Sequence, residues 1–271
     1  MNPQVSDGRH SVELLGVKIW NVDEPVCVGH VIQSLAEGVG GWIITYNVDI
    51  MRRHFFDADF RHLALHASMI VADGMPLVWA SRIQGTPLPS RVTGSNLISA
   101  LSAAAAAHDR SIFLLGGDLG TAEQAARALT SRWPNVRIAG TWFPPPGFES
   151  DAHEMAKIRA ALEGAQPSII YVALGSPKQE RLIMALRSSL PQSWWIGVGI
   201  SFSFLSGAVR RAPHWMQRSG LEWVHRLWQE PRRLGRRYLK DGIPFAVFLL
   251  WMSIMKRFSS SMSIQSKNSG V

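Results

Sequence analysis

An α/β fold, with a mainly parallel sheet and helices on both faces, is predicted by three features of this 271-residue chain. Strand-like runs alternate with helical patterns between residues 39 and 202, which is the sequence sign of βαβ units. Several of those strands are apolar throughout, as expected where helices cover both sheet faces. Glycine-bearing turns follow them, where such sheets carry their ligands. With 46% apolar residues, the chain can bury a sizeable core.

Taken in order, residues 1–13 read as a flexible N-terminus, without the basic and apolar regions of a leader. An α/β core then spans residues 14–208. Its elements are a strand at 39–46 (VGGWIITY), a helix at 50–67, a short strand at 69–72 and an Ala-rich helix at 94–108. SIFLLGG is a strand, and GTAEQAARALTSRW a helix stopped by Pro134. VRIAGTW and SIIYVALG are strands separated by the helix ESDAHEMAKIRAALEGA; PKQERLIMALRSSL is a helix and WWIGVGISF the last strand. Such a doubly covered parallel sheet is Rossmann-like. Cys27, the sole cysteine, leaves no intrachain disulfide or cysteine cluster, which suits a cytoplasmic protein.

Residues 209–258 form a basic, Trp-rich appendage. Between residues 205 and 258 there are eleven Lys/Arg against three Asp/Glu, while the remainder carries seventeen of each, so the +8 excess lives in one segment. Such a segment implies an anionic partner: nucleic acid, an anionic membrane or a phosphorylated substrate. The abutting run IPFAVFLLWMSIM favours membrane. At thirteen residues it falls short of the roughly twenty a spanning helix needs, so it reads as a peripheral anchor with Phe245, Phe248 and Trp251 in the acyl boundary. The core before Gly220 reads as complete without this appendage, and the Ser-rich stretch 259–271 as a disordered tail.

The residues directly after each strand supply the candidate site. Thr45 and Asn47 come after the first, Asp73 and Gly74 after the second, Gly116, Gly117 and Gly120 after the third, and Gly175, Lys178 and Gln179 after the fourth. A carboxylate, amide side chains and two glycine turns on one rim suit a nucleotide or nucleotide-sugar, the turn before Thr121 being placed to hold a phosphate. Asp73 is the candidate general base, since Pro76 close behind it leaves no evident helix to cap. Asp57-Ala58-Asp59 spells a metal-binding D-x-D, but within a helical pattern its carboxylates point apart, and the histidines show no ligand spacing; no metal site is expected. A dehydrogenase is disfavoured by the lack of GxGxxG.

In this order and spacing, ADG, SRVTGSNL, LLGGDLGTAE, LGSPKQE, GVGISFSFLSG and VRRAPHWMQRSGLEWVHRLWQEPRRLGRRYL resemble the WecG/TagA/CpsF glycosyltransferases over residues 14–239. The resemblance implies an inverting, metal- and cofactor-independent transfer of a sugar from a UDP-sugar to a polyprenyl-diphosphate-linked sugar. It implies a peripheral enzyme on the cytoplasmic face of the inner membrane, building exopolysaccharide or another surface polysaccharide. Asp73 takes the family's place of base and Gln179 that of its P-K-Q-E amide. Thr45, Asn47 and Arg91 match its substrate-binding positions, to which the glycine turns and Gly199 are added. Arg226, Arg233 and Arg236 match arginines that close over the site, and at spacings of seven and three they would share one face of an unbroken helix. Two departures stand out: Tyr46 replaces the proline of T-P-N, and Ser203 the aspartate of F-D-F-L, which bears on nucleotide contact and donor preference. TWFPPPGF is similar to exopolysaccharide members and leans towards a hexose donor, with an N-acetylhexosamine donor open. An anionic membrane is the expected partner surface and nucleic acid is not; homo-oligomerisation is left open. The competing class is a basic nucleic-acid- or anionic-lipid-binding protein without catalysis.

Overall fold

A computed structural model describes residues 11–268, with side chains described through Ser259. An antiparallel hairpin comes first, β1 (Ser11–Leu14) and β2 (Val17–Trp20). It begins inside the stretch expected to be flexible; residues 1–10 of that stretch lie outside the described residues. Leu15 and Gly16 make its two-residue turn, both at positive φ, as the tight hairpin geometry requires. A leucine there conceals the turn from a sequence reading, although Val12, Leu14, Val17 and Ile19 alternate inward as strand residues do.

The main sheet has six strands: β3 (Gly41–Tyr46), β4 (Met69–Ala72), β5 (Ser111–Gly116), β6 (Arg137–Trp142), β7 (Ile169–Ala173) and β8 (Trp194–Gly197). They lie in the order β4-β3-β8-β7-β5-β6, every neighbouring pair parallel. Alternate strand residues feed two cores. Ile43, Val71, Leu114, Tyr171 and Ile196 pack under α1 (Glu24–Ala36), α5 (Gly94–Ala107) and α6 (Thr121–Arg132). Trp42, Ile44, Leu115, Val172 and Trp195 pack under α2 (Val48–Phe56), α3 (Ala58–Ala64), α4 (Met75–Gln84), α7 (Ala152–Ala165) and α8 (Lys178–Leu186). Both faces are covered, which is why the strands lack a polar alternate.

Two readings of the second quarter are corrected. The helix expected at 50–67 is two helices, because Asp57 leaves helical geometry and its carboxylate accepts the Phe60 N–H at 3.1 Å, capping α3. A helix, α4, does follow Asp73: Pro76 sits in its first turn, where the missing N–H costs nothing. Gly74 is its N-cap, with no side-chain bond, so Asp73 does not cap α4.

Beyond β8 come α9 (Ser201–Leu205), α10 (His214–Ser219), α11 (Glu222–Gln229), α12 (Pro231–Gly235), a π-helical turn over Arg236–Gly242 and α13 (Ile243–Asn268). The single arginine helix is broken at Glu230, ahead of Pro231. α13 continues past Ser259, where a tail was expected. Phe245 and Leu249 of α13 are buried in the same core cluster as α4, so the appendage completes the core instead of merely adjoining it. The segment Pro231–Ser259 is helical and, by length and composition alone, long and apolar enough to cross a bilayer; only 17% of its most apolar window is buried.

Candidate active site

A cleft of about 1020 Å³ opens over the carboxyl ends of the parallel strands and is walled on its far side by the appendage. Thr45, Asn47, Asp73, Arg91, Gly117, Gly175, Lys178, Gln179 and Gly199 line it from the core, and Arg226 and Arg233 from the appendage. Of the expected site residues, Gly116, Gly120 and Arg236 do not. Gly116 and Gly120 frame the turn between β5 and α6 at positive φ. Between them, Gly117 sits at φ 83° with Thr121 Oγ1 only 2.3 Å from where a Cβ would be, so no side chain fits there. Arg236 is exposed on the π-helical turn, and Arg237 lines the cleft in its place, paired with Asp49 at 3.0 Å.

Asp73 stands at the end of β4, its N–H bonded to Tyr46 O at 2.8 Å across the strand pair. Burial pushes its carboxyl up to about 6, against the pull of the Gly94 N–H, 3.4 Å from Oδ2, and of Arg91 and Arg211; Glu222 adds to the rise. A carboxylate poised near neutrality in a cleft is suited to take a proton. Asn47 accepts the Ile50 N–H at 3.0 Å as the N-cap of α2, and Thr45 is buried at the cleft floor. Tyr46, in place of the family's proline, is buried and bonds His54 Nδ1 at 2.9 Å, a role in packing α2. Ser203 is buried in the cleft wall.

Gln179 reaches the cleft and makes one hydrogen bond through each amide atom. Its Oε1 accepts the Gly199 N–H at 3.3 Å and its Nε2 donates to Glu180 at 2.9 Å, which fixes the turn after β8 against that after β7. Gly197 must be glycine for this clamp, since a Cβ would lie 2.5 Å from Gln179 Nε2. Lys178 pairs with Glu149 at 2.6 Å, beside the proline loop that forms one lip of the cleft.

The three acids of the basic segment explain how the appendage seats. Glu222 accepts Arg91 and Arg211, each at 3.2 Å, and Arg211 also bonds Asn96 Oδ1 at 2.7 Å. Glu230 pairs with Arg226 at 3.7 Å and with Arg233. Asp241 takes Arg52 of the core at 3.0 Å. The guanidinium groups of Arg211 and Arg226 lie about 6 Å from the Phe204 ring centre. Arg211, Glu222 and Arg237 were missed by the sequence reading. The signal available was the scarcity of acids: three among eleven cations, each placed to hold arginines. Asp57 and Asp59 lie away from the cleft, and no group of three His, Cys, Asp or Glu among the described residues could hold a metal.

The family model described as "Glycosyl transferase WecG/TagA/CpsF family" matches residues 12–259. Among relatives, the chain is 34% identical over 198 residues to an N-acetylglucosaminyldiphosphoundecaprenol N-acetyl-beta-D-mannosaminyltransferase of Bacillus subtilis (strain 168), covering 73% of this chain and 75% of the relative. A protein of the same name from Bacillus spizizenii is 32% identical over 202 residues, with 74% and 76% covered. The matched span takes in the parallel sheet, the strand-end turns and the arginine-bearing appendage alike, and the chain belongs to the WecG/TagA/CpsF family of glycosyl transferases.

Proposed function

We propose that this enzyme moves a sugar from a UDP-sugar to a polyprenyl-diphosphate-linked sugar, with inversion and without a metal, at the membrane surface. The observation that carries this reading is the meeting of Asp73 with Arg226, Arg233 and Arg237 in one cleft, a proton acceptor opposite cationic groups. Asp73 takes the proton of the acceptor hydroxyl as that oxygen attacks the anomeric carbon; the bond to the UDP β-phosphate breaks, and its electrons leave with the diphosphate. Arginines offset the charge that gathers on the leaving group. Arg226 and Arg233 are held ready by Glu230, whose carboxyl lies below the usual range chiefly through the hydrogen bond from Arg233. Gln179 lines the cleft and positions the Gly199 turn through its bond to the Gly199 N–H.

Membrane docking is supported by an aromatic group where core meets appendage: Phe55 lies 6.0 Å from Phe245 and 5.4 Å from Phe248, and Phe55, Phe56 and Trp251 are exposed. Against a nucleic-acid partner stands the inward pairing of the appendage arginines with carboxylates. The test is to incubate the full chain with a panel of UDP-sugars and a polyprenyl-diphosphate monosaccharide, reading product mass with and without EDTA. The expected result is one sugar added, undiminished by EDTA. No product from any donor contradicts the transferase reading; loss on chelation, restored by manganese, contradicts metal independence.

A further inference from the structure

Glu180, next to Gln179, is only 1% exposed, and no other charged residue among those described is as buried. A carboxylate so placed costs free energy. Its Oε1 accepts a hydrogen bond from Gln179 Nε2 at 2.9 Å, while Oε2 has no hydrogen-bond partner. Ser176 and Arg53 face it, each with a buried polar atom that also lacks a partner, and Tyr46, bonded to His54, lies near it on β3. A glutamine at this position would have the same shape without the buried charge. What it would lack is the acceptor-only character of a carboxylate.

That character matters because Gln179 is a two-ended clamp. Its Oε1 accepts the Gly199 N–H, 3.3 Å away, at a turn that lines the cleft. Turned over, the amide would set Nε2 against that N–H, donor facing donor. A neighbour that only accepts keeps Nε2 on its own side and so fixes the sense of the amide; one that can also donate does not. The clamped strand end also borders the surroundings of Asp73. Gly94, whose N–H bonds Asp73, approaches Gly197 so closely that an added Cβ would lie 3.3 Å from the Gly197 carbonyl oxygen. We infer that Glu180 is a positioning residue for sugar transfer, fixing the sense of the Gln179 amide and, through it, the Gly199 turn. The inference rests on the proposed transferase reaction; Glu180 itself does not line the cleft.

The test is Glu180→Gln in the full chain, read by stability, by hydrogen exchange and by turnover. Burial raises the Glu180 carboxyl above its ordinary range, so its contribution to stability falls as pH rises through that range and is unfavourable above it. Glu180→Gln is therefore expected to raise Tm at pH 8 and to change it little at pH 4. Amide exchange across residues 197–201 at pH 8 is expected to quicken by about tenfold, as for the loss of one hydrogen bond. Turnover at the same pH is expected to fall by about tenfold to 10²-fold, on the scale of a misplaced site wall. Because Glu180 acts through Gln179, adding Glu180→Gln to Gln179→Met should lower turnover no further. A lower Tm at pH 8, or failure to fold, makes Glu180 a packing residue and overturns the inference. Unchanged exchange, unchanged turnover, or losses that multiply in the double variant overturn it as well. Tm and exchange need no donor sugar, so failure of the transferase reading shows separately, as a wild type inactive with every donor in the panel.

Discussion

Asp73 carries a conflict between stability and chemistry. Its carboxyl sits at about 6 in the fold, against an ordinary 3.8. Between those values the folded state holds more protons than the unfolded one, so this group's contribution to stability falls as pH rises from about 4 to about 6 and stays unfavourable above. Asp73→Asn is therefore expected to raise Tm at pH 8 and to change it little at pH 4, which thermal denaturation at the two values checks. Catalysis needs the ionised form, so kcat/KM should rise with pH and level off above about 6. Glu222 contributes to the raised value and also holds Arg91 and Arg211; Glu222→Gln removes a like charge and releases two cations, and both effects move the limb to lower pH. A limb that stays in place in that variant separates Glu222 from Asp73.

Among the elements, the appendage helices show how much a sequence can specify. The parallel strands and their rim were legible because β3, β5, β7 and β8 are unbroken apolar runs followed by turn residues, a pattern that admits few folds. The hairpin was not, since Leu15 occupies a positive-φ position without the usual glycine or asparagine. Asp73 was legible as the lone carboxylate after β4, although the argument from Pro76 failed because proline is tolerated in a first turn. The expectation for Arg236 failed because Arg237, the fourth residue after Arg233 and not the third, lines the cleft. The three arginines then have different expected fates. Arg226→Ala and Arg233→Ala should lower turnover about 10²-fold or more even on a short-chain, water-soluble acceptor, on the scale of losing one transition-state donor. Arg236→Ala should retain turnover there and weaken only vesicle binding, by about 1 kcal/mol. Steady-state kinetics beside vesicle sedimentation distinguishes the two.

At the scale of the molecule, the appendage is part of the fold, one wall of the cleft and the face proposed to meet the membrane. A core expected to stand without residues beyond Gly220 would in fact expose the apolar surface that Phe245 and Leu249 cover. Leu249→Ala should cost about 2–5 kcal/mol of stability, the range for a buried leucine, and chemical denaturation would read it. A cost near zero would make α13 an external anchor. The central claim, that one buried carboxylate activates the acceptor beneath a lid of arginines, is tested most directly by single-turnover transfer in wild type and Asp73→Asn at pH 8, with UDP affinity measured on both. The account predicts a rate about 10²- to 10⁴-fold lower in Asp73→Asn with UDP binding within a few-fold of wild type; wild-type transfer by that variant would contradict it.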